Sequence, residues 1–437
     1  MTGAASVVPL NAGGAYTGWL RCARCGTEWP PAAAHRPCAT CGAEGVNVNP
    51  SPLYDLSRLA AVAGTGRVPE AAGPGVFRYA GLLPVGPSGW ISLGEGGTPL
   101  LPISRAGGAV GLPGLWWKDE SRNPTWSYKD RLAAVAVTRA VQDGADTVVV
   151  SSTGNHGAAV AAYAARAGLR CVVLTLASVP LAMKTLMQSY GALVAAVTEP
   201  AGRWAIMRDA VEQRGWVPMS GYVSPPSGSN PYGVDGYKTI AYELWSQLDG
   251  QLPDAVVAPV AYGDGISGLV RGFADLVDLG LASRLPRVIA AEPYGPFAAV
   301  LDGRPGEVPG DGSVAFSIAA TTASWQGVHA LELTGGAGMT AGNDEIMHAQ
   351  ATLAALEGLF PEPSSAITFA VVPALMRAGI LDSEDTVVLL GTSTGLKDIG
   401  SAAERMAPVP VIEPTLAAFD QWAASAAHET HLENAEA

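Results

Sequence analysis

From Trp116 onward, short apolar runs alternate with longer segments whose apolar residues recur every three or four positions. The runs Thr147–Ser151, Cys171–Leu176, Leu193–Val197, Ala255–Val260, Arg287–Ala291 and Thr386–Gly391 are short and rich in Val, Leu, Ile and Ala, which predicts strands. Between them, Asp130–Gln142, Gly157–Arg166, Leu181–Tyr190, Trp204–Arg214, Tyr237–Leu248 and Ser267–Asp278 carry the helical period, as does Ser364–Arg377 further on. Strands separated by helices of this length predict βαβ units and parallel sheets, an α/β class. The strand runs are continuously apolar rather than alternating, so helices are expected on both faces of each sheet. Ligands of such sheets bind at the carboxyl ends of strands. Polar residues just after each strand are therefore the first candidates for chemistry.

The pattern before Trp116 is different. Residues 50–115 are rich in Gly and Pro, with short helical pieces near Leu53–Ala63, and residues 1–48 hold four clustered cysteines. Domains are expected at 1–48, a zinc-ribbon-like segment, and 49–437, a catalytic region of two interleaved α/β subdomains. No internal repeat is visible, and the acidic tail after Ala424 is expected to fray.

Composition narrows the class. Of 437 residues, 48% are hydrophobic and 15% charged, ample for a large core and too apolar for disorder. A formal net charge of −13 argues against nucleic acid and anionic membrane as partners. No clean run of about 18 apolar residues is present to span a bilayer. Met1–Leu10 lacks the basic and apolar regions of a signal peptide. A cytoplasmic protein is expected.

Four stretches place chemistry at strand ends or helix starts. In Asn123-Pro-Thr-Trp-Ser-Tyr-Lys-Asp-Arg131, Lys129 opens an apolar-periodic helix. The positive end of a helix disfavours a second positive charge, and an amine must be neutral to attack an aldehyde. In Ser151-Ser-Thr-Gly-Asn-His-Gly157, Ser152, Thr153 and Asn155 offer short hydrogen-bonding side chains; Asn155 suits a phenolic oxygen or a substrate carboxylate. Ala261-Tyr-Gly-Asp-Gly265 is a glycine-containing turn whose backbone N–H groups suit a phosphate. In Gly391-Thr-Ser-Thr-Gly-Leu-Lys-Asp398, Thr392 or Ser393 suits an aromatic ring nitrogen. Each stretch alone has a bland reading: a solvated lysine, a satisfied cap, a common βα loop.

Together, and with Ser92-Leu-Gly-Glu-Gly-Gly-Thr-Pro-Leu100 and Glu362-Pro-Ser-Ser-Ala366, these stretches resemble the successive signatures of the threonine synthases, in that family's order, over about residues 90–400. The resemblance implies a fold-type-II pyridoxal-phosphate enzyme, related to the tryptophan synthase β fold, with two three-layer parallel-sheet domains. It implies Lys129 as the Schiff-base lysine, Asn155 on the ring's 3′-oxygen, residues Ala261, Tyr262, Gly263, Asp264 and Gly265 around the cofactor phosphate, and Thr392 facing the pyridine nitrogen. A hydroxyl there leaves the ring a weaker electron sink, which suits elimination and replacement better than transamination. Ser152, Thr153 and Trp126 would lie beside the substrate.

Cys22-x-x-Cys25 and Cys38-x-x-Cys41, with 12 residues between the pairs, have the spacing of a closed tetrahedral Zn²⁺ site. Some threonine synthases look similar in carrying such a ribbon. An iron site or redox dithiols are the competing reading.

The reaction expected is elimination of a β- or γ-leaving group from an amino acid, with Lys129 as general base, then addition of a nucleophile. Conversion of O-phosphohomoserine and water to threonine leads. A cysteate-synthase-like β-replacement using O-phosphoserine is close behind; a serine/threonine dehydratase is a third reading, and Lys129, Asn155 and Thr392 argue against the fourth, a non-catalytic binding protein on the same fold. The partner is a small amino acid, phosphorylated in the first two readings; a homodimer is compatible with all four. Three departures from the family bear on substrate. Trp126 stands where Gly is usual, Tyr128 replaces Phe, and His156-Gly157 resembles the dehydratases.

Overall fold

The computed structural model describes residues 14–31 and 34–433; Met1–Leu10, read above for a targeting signal, and the end of the acidic tail lie outside them. The chain divides into two compact units, Met1–Asp398 and Ile399–Ala437. The second holds the helices Ile399–Ala403 and Leu416–Glu433. Most of the tail expected to fray is thus helical.

The first unit holds three sheets. At the N-terminus, Tyr16–Cys22 pairs antiparallel with Glu28–Trp29 on one side and Pro50–Tyr54 on the other. A six-stranded sheet runs in the order Ala337–Thr340, Arg287–Glu292, Ala255–Pro259, Val387–Gly391, Leu115–Asp119, Leu100–Pro102. Only its last strand is antiparallel. A four-stranded parallel sheet runs Leu193–Val197, Arg170–Leu176, Thr147–Ser151, Val217–Pro218. All six predicted strands are present, each end within one residue of its expected position. Val148–Val150, Val256–Val257 and Val387–Leu389 are fully buried, as covered faces require.

The helices need more correction. Ser364–Arg377 is two helices, Pro363–Ala370 and Val372–Arg377, because Pro373 has no N–H for the carbonyl four residues earlier. The helix expected from Ser267 starts at Asp264, and the one expected from Gly157 starts at Asn155; both shifts bring candidate residues into a first helical turn. The helices Trp325–Leu333 and Asn343–Glu357 were not expected. Among the described residues no helix is long and apolar enough to cross a membrane.

The strand Leu115–Asp119 also escaped the pattern, although it lies inside the six-stranded sheet. Its Lys118 is fully buried, which is tolerable only because it is paired. Lys118 Nζ donates to Glu243 at 2.7 Å, to the Thr98 carbonyl at 2.8 Å and to Gln247 at 2.9 Å. Arg131, also without exposed surface, bonds Glu120 at 2.7 and 2.8 Å and Glu243 at 2.7 and 2.8 Å. Two cations thus balance two carboxylates. Burial alone pushes the Glu243 carboxyl up, but the charges of Arg131 and Lys118 overrule it and hold it well below the usual carboxylate range.

Glu243→Gln leaves two buried cations facing a single carboxylate, and should destabilise the protein by about 3–5 kcal/mol. Denaturant midpoints at pH 7 measure this. Because the folded-state pKa is depressed, the stabilisation from Glu243 is complete at neutral pH. It fades as pH falls below about 4.3, and that fade should be missing in the variant.

Candidate active site

A cavity of about 560 Å³ opens between the two parallel sheets, at the carboxyl ends of Thr147–Ser151, Ala255–Pro259 and Val387–Gly391. Lys129, Ser152, Thr153, Asn155, residues Ala261 through Gly265 and Thr392 all border it. Trp126 does not: its side chain is 46% exposed and absent from the wall. Its φ is +58°, a left-handed conformation costing a side-chain-bearing residue about 1–2 kcal/mol and a glycine almost nothing. Trp126 acts here through its backbone, whose carbonyl accepts from Ser393 Oγ at 3.0 Å.

Lys129 is the first residue of the helix Lys129–Gln142. Its Nζ donates to Tyr128 Oη at 3.2 Å and lies 4.5 Å from the centroid of the Tyr128 ring. The Tyr128 ring stacks on Tyr237 at 4.8 Å. The Phe-to-Tyr change, mild in sequence, therefore places a hydroxyl against the amine. The turn is fixed from across the cavity by Tyr128 N–H donating to the Thr392 carbonyl at 3.0 Å.

The glycine turn leads into the helix Asp264–Asp278. Gly263 has φ +86°, and a Cβ there would sit 2.6 Å from Gly327 Cα. Only glycine fits both constraints. Among the described residues, no protein acceptor takes the backbone N–H groups from Ala261 to Ile266. A run of unspent N–H groups at a helix N-terminus is suited to a phosphate. The Asp264 carboxylate is occupied elsewhere, accepting from Ser229 N–H at 2.9 Å and Gln326 Nε2 at 2.8 Å. Burial pushes its pKa up against those bonds.

The remaining candidates differ in availability. Ser152 Oγ is used locally, accepting from Gly157 N–H at 2.9 Å and Gly154 N–H at 3.2 Å. Thr153 makes no side-chain hydrogen bond among the described residues, and the buried Ser151 Oγ, which the sequence did not single out, has no partner there either. Thr392 Oγ1 shares a 2.8 Å hydrogen bond with Ser365 Oγ. Asn155 Nδ2 donates to Glu362 at 2.9 Å, and its Oδ1 accepts from Lys397 Nζ at 2.7 Å. Glu362, Ser365 and Lys397 appeared in the sequence only as letters of motifs. His156 borders the cavity with a buried, unpartnered Nε2; burial first, then the charge of Lys129, lowers its pKa to about 3.

A family model of pyridoxal-phosphate dependent enzymes matches residues 91–393, which include every bordering candidate above. The chain belongs to the pyridoxal-phosphate dependent enzymes. Threonine synthase of Methanocaldococcus jannaschii is 35% identical over 347 residues, covering 77% of this chain and 84% of that one. That of Methanosarcina acetivorans is 33% identical over 393 residues, covering 87% and 92%. This is therefore a pyridoxal-phosphate-dependent lyase of the threonine-synthase type. Among solved structures, maize serine racemase aligns with a TM-score of 0.59 at 23% identity, covering 71% of this chain and 91% of that one. O-ureido-L-serine synthase aligns at 0.59 and 22%, covering 75% and 96%. These two show the shared fold, fold type II.

Outside the cavity lining, the thiols of Cys22, Cys25, Cys38 and Cys41 lie within 4.8 Å of one another. Cys22–Cys41 and Cys25–Cys38 are each 3.6 Å apart. Ligands at the Zn–S distance of about 2.3 Å, set at tetrahedral corners, are separated by about 3.8 Å. The four sulfurs are thus spaced to hold one such ion.

Gly263→Ala should press a methyl group on Gly327 and distort the unspent N–H run. Titration of the apoenzyme with pyridoxal phosphate should give at least about tenfold weaker affinity, as expected when one charged hydrogen bond is lost. Unchanged affinity would separate this turn from the phosphate.

Proposed function

We propose that this enzyme converts O-phosphohomoserine and water to threonine and phosphate, with Lys129 as the lysine that bonds the cofactor aldehyde. The observation that carries the reading is the shared cavity. The Lys129 amine, the Asn155 amide and the unspent N–H groups of the glycine turn border one space of about 560 Å³. When bound, pyridoxal phosphate supplies a ring that stabilises negative charge at the substrate α carbon.

The chain's own residues account for the rest. Backbone N–H groups of Ala261–Ile266 hold the cofactor phosphate, Asn155 donates to the ring oxygen, and the Thr392 hydroxyl meets the ring nitrogen. The Lys129 amine takes the α proton and returns it, steadied by Tyr128 Oη. Thr153 and Ser151, beside the N-terminus of the helix Asn155–Ala167, receive the substrate carboxylate. Arg203, only 9% exposed, brings a guanidinium into the cavity wall. Its guanidinium remains charged at every working pH and supports a substrate with a phosphorylated leaving group.

We further infer that Cys22, Cys25, Cys38 and Cys41 hold a structural zinc ion. The site is closed by four thiolates, so it contributes to folding rather than to the reaction.

Purified enzyme offered O-phosphohomoserine, O-phosphoserine, serine and threonine should release phosphate from the first and form threonine. Lys129→Ala should lose both this turnover and the visible absorption band of bound cofactor. Phosphate release from O-phosphoserine alone would move the assignment to β-replacement, and ammonia from serine or threonine with no phosphate release would move it to a dehydratase. Elemental analysis should find one zinc per chain, reduced in Cys22→Ser; iron in its place would overturn the zinc assignment.

A further inference from the structure

Asn155 has two possible amide orientations, and its neighbours permit only one. Lys397 Nζ donates to Asn155 Oδ1 at 2.7 Å, and Glu362 Oε2 accepts from Asn155 Nδ2 at 2.9 Å. An ammonium has only hydrogens to give and a carboxylate only lone pairs. Flipping the amide would set N–H against ammonium and oxygen against carboxylate, replacing two attractive contacts with two repulsive ones. Both partners are buried: Lys397 is 8% exposed and Glu362 is 2%. Neither borders the cavity, whereas Asn155 does.

We propose that Lys397 and Glu362 are positioning residues that lock the Asn155 amide with its oxygen turned away and one unspent N–H left for the cofactor ring oxygen. The proposal rests on the cofactor reading above, which places that oxygen at Asn155.

Three observations favour a lock over a general ion cluster. Among the described residues Lys397 lies within 4.0 Å of no carboxylate, so its close polar contact is the amide itself. Burial lowers its pKa to about 8, with Glu362 and Asp130 opposing the shift, so the ammonium persists at neutral pH. Glu362 is itself held: its second oxygen accepts from Ser317 Oγ at 2.6 Å, and Ser317 bonds Ser364 at 2.7 Å. Ser317 borders the cavity, so the same carboxylate ties the amide to a second segment of the cavity wall.

The test uses holoenzyme and compares Lys397→Met, Lys397→Arg, Asn155→Ala and the Lys397→Met/Asn155→Ala pair. The readouts are the absorption maximum of bound cofactor and its dissociation constant. Lys397→Met should shift the band in the same direction as Asn155→Ala and weaken cofactor affinity about tenfold, the loss of one charge-assisted contact. Lys397→Arg, still a pure donor, should recover most of both. In the Asn155→Ala background, Lys397→Met should add nothing. Lys397→Gln, one bond shorter but polar and able to donate, is the variant to use if Lys397→Met does not fold, with a smaller shift expected. Wild-type spectrum and affinity in Lys397→Met, beside an altered Asn155→Ala, would overturn the lock and leave the cofactor reading standing. An unaltered Asn155→Ala would overturn the placement of the ring oxygen, and the lock with it. Equal damage in Lys397→Met and Lys397→Arg would mean packing rather than amide orientation.

Discussion

A guanidinium with no exposed surface sits two residues beyond Lys129, at the start of the same helix, and the geometry of the cavity depends on it. Arg131 bonds Glu120, just past the strand Leu115–Asp119, and Glu243, on the helix Lys238–Gln247. Glu243 also accepts from Gly97 N–H at 2.7 Å, and Glu120 from Thr98 Oγ1 at 2.6 Å. One planar fork thus fastens a sheet strand, a glycine-rich loop and a packing helix to the helix that begins with Lys129. An arrangement of this kind is stable only while its charges balance, since desolvation of an unpaired ion exceeds what a single contact returns. The lysine helix inherits its placement from that balance, not from helix propensity.

Placement of the lysine also requires that the loops around it meet in one register. Ser393 is the joint. Its N–H donates to Ser365 Oγ at 2.9 Å, its Oγ donates to the Trp126 carbonyl at 3.0 Å, and its carbonyl accepts from Glu362 N–H at 3.1 Å. Three segments far apart in sequence are thereby joined by one backbone bond and two serine hydroxyls. The strand Thr147–Ser151 belongs to one parallel sheet and Ala255–Pro259 and Val387–Gly391 to the other, so the cavity lies where the strand ends of both sheets face it.

This explains what could be read from the chain. Continuous apolar runs marked the central parallel strands, because burial on both faces leaves no room for polar residues; the edge strand Leu193–Val197 is apolar yet largely exposed, and the short edge strands Val217–Pro218 and Ala337–Thr340 were missed. Leu115–Asp119 was missed for the converse reason: Lys118 in its middle is compensated by Glu243, 125 residues away, and no local window contains the partner. The single helix expected over Ser364–Arg377 ignored the donor that Pro373 lacks. At the site, residues placed just after strands or at helix starts were legible: Lys129, Asn155, the glycine turn and Thr392. Lys397 and Glu362 were not, since their meaning lies in contacts to Asn155 across 242 and 207 residues. Their motifs were visible, but a motif does not say which amide it orients.

Trp126, where the resemblance leads one to expect glycine, keeps its large side chain out of the cavity wall. Its left-handed backbone is held by its N–H on the Asn123 carbonyl at 2.8 Å and its carbonyl on Ser393, and its ring stays outside the cavity wall. Substrate choice therefore has to come from the groups that do border the space. Among the described residues the charged ones are Lys129, Arg203 and Asp264. Asp264 is bonded to Ser229 and Gln326, and His156, with its pKa lowered to about 3, adds no charge. The cavity wall thus offers one lysine amine, one guanidinium and a carboxylate already hydrogen-bonded within the protein.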